Sequence, residues 1–426
     1  MNRIHLNSKR GVLLKNTVML YILQFSSSIL SLAAVPYETR ILGPAIYGYL
    51  GAATAVMVYF QLVIDFGFLL SATEEVSRRR EDPEALNRIF TGVTICKVFL
   101  SLASALVLTV LCRVIPAWQE KRTLFLLTFL STALTSMIPD YLYRGLEKMT
   151  AITVRTVLIR LFFTVAIFLF LKTPEDLLVV PTLNIIGNFF ALLGAFWHLH
   201  RRMGIRFAKV TKKDVGTLFR RASTFFYSRI ATTAYTAFNT VLLDILTAGG
   251  AATGLYTSAD KLITTGKNAL SPVSDSLYPY MVKNRDFKLV KKVLTIAMPI
   301  IIVGCTGAFI WAEPLCGLLF GADFAPAGKV LRAMLPVGIV ILPSYICGFP
   351  MLSAMGLTKH ANYSVIFGTV CHLVMLLTLY LTRTITTVSL GCAVSVTETL
   401  ILAYRLVVIY RHRELLAPEK GESECG

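Results

Sequence analysis

Between Leu255 and Leu270 the chain reads LYTSADKLITTGKNAL, which sets Asp260, Lys261 and Lys267 among threonines and a serine with no turn signal between them. Asp260, Thr264, Lys267 and Ser271 are spaced to share one face of a helix, and Lys261, Thr265, Asn268 and Pro272 form the row beside it. Comparable stripes recur elsewhere. One runs through Arg229, Thr233, Thr236 and Thr240, another through Thr17, Tyr21, Gln24, Ser28 and Ser31, and a third through Lys97, Ser101 and Ser104. Glu398 and Arg405 lie two turns apart on one face of a further helix. The cations Arg229, Lys261, Lys267 and Lys97 outnumber the nearby Asp260 and Asp244. That sign suits an anion such as a phosphate or an acidic sugar, held by charge and by hydrogen bonds from Tyr21, Gln24 and Asn268. An organic cation would need the opposite balance. Glu398, Asp260 and Asp244 are candidate proton or sodium sites, and a structural salt bridge explains each equally well.

These residues interrupt a chain that is otherwise apolar. Of its 426 residues, 55% are hydrophobic and 15% are charged, where a soluble domain has about 25% charged residues. Mean hydropathy is +0.67. Windows long enough to cross a bilayer recur along the whole chain, so the fold class is an all-α membrane protein. At the centre of a membrane helix each Asp, Lys or Arg costs about 2.5–3.5 kcal/mol, while each Leu, Ile, Phe or Val contributes only about 0.3–0.6. Three charges in one span therefore cannot face lipid; they face protein or a wet cavity. For the Ser and Thr stripes taken alone, hydrogen bonding between packed helices is the simpler reading.

Twelve spans are predicted, at 13–36, 45–70, 89–112, 123–143, 150–171, 177–199, 221–246, 252–281, 289–319, 328–353, 360–381 and 385–410. The loops on the side of both termini carry twenty-seven lysines and arginines against eight on the other side. By the positive-inside rule both termini are cytoplasmic. The segment GPAIYGY at 43–49 resembles GGAATGL at 249–255. The offset of 206 residues lays the first span on the seventh, which predicts two parallel six-helix repeats, a transporter signature. The expected organisation is a six-helix bundle at 1–200, a basic cytoplasmic linker at 201–220, a second six-helix bundle at 221–411 and a cytoplasmic tail at 412–426. Pro36, Pro272, Pro299 and Pro350 are candidate bends.

Several function classes find no support in the residues. The net charge of +18 suggests nucleic acid, but the basic residues sit in short loops and no basic domain exists. That distribution fits contact with anionic membrane lipid. The eight cysteines form no C-x-x-C pair, so packing is favoured over disulfides or metal. No nucleophile–base pair, metal cluster or phosphate loop is evident, and no cofactor, metal or catalytic residue is expected. A polysaccharide polymerase would need a larger outer loop than RVIPAWQEKR. No cleavable signal peptide is expected.

The opening, from Asn16 to Arg80, resembles Wzx-type polysaccharide flippases, members of the exporter superfamily that includes MATE drug exporters and the lipid II flippase. The resemblance rests on Pro36-Tyr37, on TRILGP from Thr39 to Pro44, on Tyr47-Gly48, on DFGF from Asp65 to Phe68, and on SATE from Ser71 to Glu74. It departs at Glu38, where the family carries an apolar or small residue. The resemblance implies a MATE-like fold in the bacterial cytoplasmic membrane. It also implies translocation of an undecaprenyl-pyrophosphate-linked oligosaccharide by alternating access, coupled to a proton or sodium gradient, with a polysaccharide polymerase as a possible partner. A lipid II flippase and a MATE-like multidrug or cation antiporter are the alternatives.

Overall fold

The computed structural model describes residues 2–233, 237–247 and 250–416, with side chains described at Ser26, Leu30 and from 33 to 415 apart from 227–229, 231–236, 248–249 and 279. Helices make up the described chain and no strand occurs among the described residues. A bilayer imposes this, because every backbone amide must be satisfied within its own segment. The chain divides into two compact units, residues 1–257 with 319–323 and residues 258–318 with 324–426.

The first unit holds α1 (Asn2–Asp65), α2 (Phe68–Arg78), α3 (Pro83–Val114), α4 (Pro116–Gln119), α5 (Arg122–Met137), α6 (Asp140–Gly145), α7 (Met149–Phe170), α8 (Val179–Met203), α9 (Lys212–Thr233) and α10 (Phe238–Thr247). The division falls inside α11 (Ala251–Asn284). The second unit continues with α12 (Phe287–Ile310), α13 (Ala312–Phe320, whose last two residues belong to the first unit), α14 (Ala327–Cys347), α15 (Phe349–Ala354), α16 (Thr358–Leu381) and α17 (Thr387–Arg411). Nine segments among the described residues are long and apolar enough to cross a membrane; α11, with its charges, is not one of them.

Local chemistry sets the helix ends. Asp82 caps α3 by accepting from the amides of Glu84 and Ala85, and Pro83 stands where no amide is needed. Thr386 and Ser389 cap α17 reciprocally. Several predicted spans are broken in two. α1 covers the first two predicted spans and leaves helical geometry at Gly43, whose φ of 67° favours glycine, with Pro44 next. The fourth span breaks at Ile138-Pro139, the ninth at Trp311 and the tenth at Gly348. Of the four prolines expected to bend helices, Pro350 sits beside such a break, while Pro36, Pro272 and Pro299 lie within continuous helix.

One crossing in the first unit is unusually close. A Cβ on Gly48 would collide with the Gly250 carbonyl oxygen and the Gly254 amide, and a Cβ on Gly254 would collide with the Pro44 carbonyl oxygen. A Cβ on Gly51 would meet the side chain of Thr257. The 206-residue offset pairs 44 with 250, 48 with 254 and 51 with 257. Residues matched by that offset therefore touch one another reciprocally, and small residues let the two backbones approach this closely.

Candidate functional site

The charged face of α11 lies on a continuous helix, so Asp260, Thr264 and Lys267 share a side. In the second unit Lys267 Nζ lies 2.6 Å from Glu398 Oε1 of α17. The Glu398 side chain is 5% exposed and that of Lys267 is 21% exposed. Asp260, half-buried, interacts with Lys267 and Lys261 and with the Thr264 hydroxyl. Lys261 is half-buried and engaged, and Asn268 is exposed. Tyr345 of α14 sits in the field of Lys267, Glu398, Asp275 and Arg405.

Arg405, two turns along α17 beyond Glu398, anchors this cluster. Its Nη1 donates to the Ser344 carbonyl oxygen at 2.5 Å and to Ser344 Oγ at 3.0 Å, while Nε donates to Ser364 Oγ at 2.9 Å. Ser344 lies in the last turn of α14, where the helix dipole favours a cation, and its carbonyl oxygen also accepts from the Gly348 amide at 3.0 Å. Gly348, just past that end, leaves room for the guanidinium: a Cβ there would come within 2.9 Å of Nη1. The sequence singled out Glu398 and Arg405, but not Ser344, Ser364 or Tyr345. The one signal for Ser344 and Tyr345 is the Pro-Ser-Tyr run at Pro343-Ser344-Tyr345 inside an apolar span, and Ser364 has none.

The first unit seats other predicted residues. Lys97 is buried, with Nζ 3.0 Å from Asp65 Oδ1 and 2.5 Å from the Ser136 carbonyl oxygen. Asp244 is 1% exposed and accepts from Trp118 Nε1 at 2.9 Å, while its Oδ1 has no hydrogen-bond partner among the described residues. Lys121, in the turn before α5, stands over the Tyr49 ring at 3.5 Å. Burial pushes the Lys121 ammonium below its ordinary value, against the pull of Asp244 and Glu120. The side chains of Tyr21, Gln24 and Arg229 lie outside the described residues. Among the described residues no group of three His, Cys, Asp or Glu could hold a metal.

Chemically, the α11–α17 cluster offers two lysines to an anion and two carboxylates that compete for them. An anion at Lys267 competes with Glu398 for the same charge, so ligand binding and the charge on Glu398 are linked.

A many-helix membrane fold with ionisable residues held inside it defines a multi-pass transporter. The fold is that of the exporters: the chain aligns with the lipid II flippase MurJ in an inward closed conformation at a TM-score of 0.73 and 14% identity, covering 92% of this chain and 87% of that one. It aligns with an inward-facing multidrug resistance MATE family transporter of the MOP superfamily at a TM-score of 0.68 and 14% identity, covering 92% and 98%. Residues 13–285 match the family described as "Polysaccharide biosynthesis protein", and the chain belongs to that family. Two curated relatives share the name "Putative O-antigen transporter". The one from Escherichia coli (strain K12) is 25% identical over 423 residues, 96% of this chain and 100% of its own length. The one from Shigella dysenteriae is 24% identical over 364 residues, 84% of this chain and 91% of its own length.

Proposed function

We propose that this protein is a flippase that moves undecaprenyl-pyrophosphate-linked oligosaccharide from the cytoplasmic to the outer leaflet of the bacterial inner membrane by alternating access, in cell-surface polysaccharide synthesis. The observation that carries this reading is the family match over residues 13–285 together with relatives named as O-antigen transporters along nearly the full chain. The paired lysines and carboxylates of α11 and α17 supply the chemistry. A pyrophosphate entering the membrane interior sheds hydration and needs fixed cations in its place.

In this reading Lys267 and Lys261, with Arg229, replace water around the pyrophosphate, and Tyr21, Gln24 and Asn268 serve the headgroup as hydrogen-bond partners. The prenyl chain stays in lipid. Glu398 holds Lys267 when no substrate is present. A proton or a sodium ion on Glu398 neutralises it and releases Lys267 to the phosphate, which couples transport to an ion gradient. Asp260 and Asp244 are the further coupling candidates. Lys97, paired with Asp65, acts by holding α3 against α1 rather than by touching substrate. Both termini lie in the cytoplasm on the distribution of lysine and arginine, and a polysaccharide polymerase consumes the flipped product.

Lipid II is the second reading, favoured by the fold likeness to MurJ; it shares the undecaprenyl pyrophosphate end. The experiment is export in the host. Deleting the gene abolishes surface polysaccharide, wild type restores it, and Lys267→Ala and Arg229→Ala restore it poorly although both proteins insert. Normal surface polysaccharide in the deletion strain overturns the reading. Lethality relieved by a known lipid II flippase transfers it to lipid II.

A further inference from the structure

The first unit holds an arginine that the function proposed above does not use. Arg160 lies near the middle of α7 and is exposed, with no hydrogen bond or ion pair among the described residues. Its position around the helix is informative. At ~100° per residue, Arg160 falls within about 40° of Thr153, Thr164 and Ile167, and all three are buried. The lipid-like side of α7, formed by Leu158, Phe162, Val165 and Leu169, is exposed and lies about 140–180° away. Arg160 is thus an exposed cation in the middle of the packed arc.

What that arc faces follows from the neighbours. α7 packs against α1 and α8, α8 against α5, and α5 against α1, which closes a ring. Tyr37 of α1 lies on Phe168 of α7, and Phe60 of α1 on Phe129 of α5. On α8, Gly187 faces Ile159 and Phe162 of α7, so it stands level with Arg160. Asn188, the next residue, donates from Nδ2 to Ser131 Oγ of α5 at 3.0 Å. Half-buried Asn184 lies between these two directions, on the side of α8 turned into the ring. One cation and two amides therefore stand near one level of this unit, the Asn184 amide also donating to the Val180 carbonyl oxygen of its own helix at 3.1 Å. A guanidinium at mid-span is too costly to leave without either water or an anion.

We propose that Arg160, with Asn184 and Asn188, forms a water-filled subsite inside the first unit that takes an anionic group of the translocated headgroup, a phosphate or a carboxylate, with the amides serving neighbouring hydroxyls. The subsite rests on the flippase reading for its ligand. Arg160 grips a planar or tetrahedral oxyanion through two parallel N–H bonds. Lysine keeps the charge but not the fork.

Two measurements test this. First, full-length Arg160→Cys and Leu158→Cys proteins are treated in inverted and right-side-out membrane vesicles with a charged, water-soluble maleimide, and labelled peptides are mapped by mass spectrometry. Cys at 160 is labelled in at least one orientation and Cys at 158 is not. Failure to label 160 in both orientations overturns the subsite. Second, purified wild type, Arg160→Lys and Arg160→Ala are titrated by calorimetry with inorganic pyrophosphate and with glucuronate. Arg160→Ala binds one of them tenfold or more weaker, in line with loss of a charge-assisted hydrogen bond, and Arg160→Lys loses less. Selective loss of pyrophosphate assigns the subsite to the carrier phosphates, and selective loss of glucuronate assigns it to an acidic sugar. Unchanged binding in Arg160→Ala, or no binding by wild type, overturns the proposal. Neither assay measures export, so a failed flippase reading leaves both results interpretable. Unchanged anion binding alongside protein-dependent export sinks the subsite alone.

Discussion

Replacing Lys267 by methionine strands Glu398 in the interior of the second unit, and the consequence can be sized. At 2.6 Å and an effective dielectric of about 20, the gross attraction between the two charges is about 6 kcal/mol. Desolvating each ion costs several kcal/mol, so the net value of the pair is far smaller. Breaking such a pair from one side nonetheless costs about 3–5 kcal/mol, because the remaining charge is left uncompensated. Replacing both partners by methionine removes that penalty. The melting temperature in detergent therefore falls by several degrees in Lys267→Met and in Glu398→Met, and recovers most of the loss in the double variant. A coupling energy of about 2 kcal/mol or more is expected, where independent sites add to within about 0.5 kcal/mol. Export separates structure from function: the double variant, stable but without its cation, still fails to export polysaccharide. Additive melting shifts would refute the ion pair. Restored export in the double variant would reduce the pair to a structural role.

Other expectations follow from the same geometry. Gly254→Val forces apart the backbones of α1 and α11 and lowers the melting temperature, consistent with an overpacking cost of about 1–3 kcal/mol. Gly194→Ala, inside α8 at a position with nothing near its Cβ, does not lower the melting temperature, since alanine favours the helix over glycine; a loss at both sites alike would discount the close crossing. Lys97→Met strands Asp65 and destabilises by about 3 kcal/mol, and Lys97→Met/Asp65→Leu recovers most of that in the same melting assay. Arg405→Lys keeps the charge but loses the fork on Ser344 and Ser364, so it melts earlier than wild type, and identical melting would count against the α14 terminus as its site. Glu398→Gln transports with little response to an imposed proton or sodium gradient, as measured in vesicles with a labelled lipid-linked substrate.

The sequence carried some of this architecture and hid the rest for identifiable reasons. The stripe of Asp260, Thr264 and Lys267 was legible because helical spacing alone puts those residues on one side. The identity of the Lys267 partner was not, because Glu398 is 131 residues away and pairing between helices leaves no local trace. Lys97 reads as one more cavity cation, and its pairing with Asp65, on another helix, leaves no local trace in the sequence. Arg160 stood out less than the α11 lysines because a lone arginine in an apolar run has no stripe; only the packing of α1, α5, α7 and α8 gives its direction. Helix breaks at Gly43 and Gly348 involve glycines beside Pro44 and near Pro350, a signal present in the sequence but outweighed by the long apolar runs. The 206-residue offset was a weak residue match, and the reciprocal contact of Gly48 and Gly254 shows that those two glycines meet where the backbones cross.

The central claim is tested most directly in proteoliposomes that contain only the purified protein and a fluorescent undecaprenyl-pyrophosphate-linked oligosaccharide. The account predicts that wild type renders the inner-leaflet sugar accessible to an externally added lectin within minutes, and that Lys267→Ala leaves it protected. Protection that is the same with wild type and with empty vesicles, under an imposed proton or sodium gradient, would contradict it.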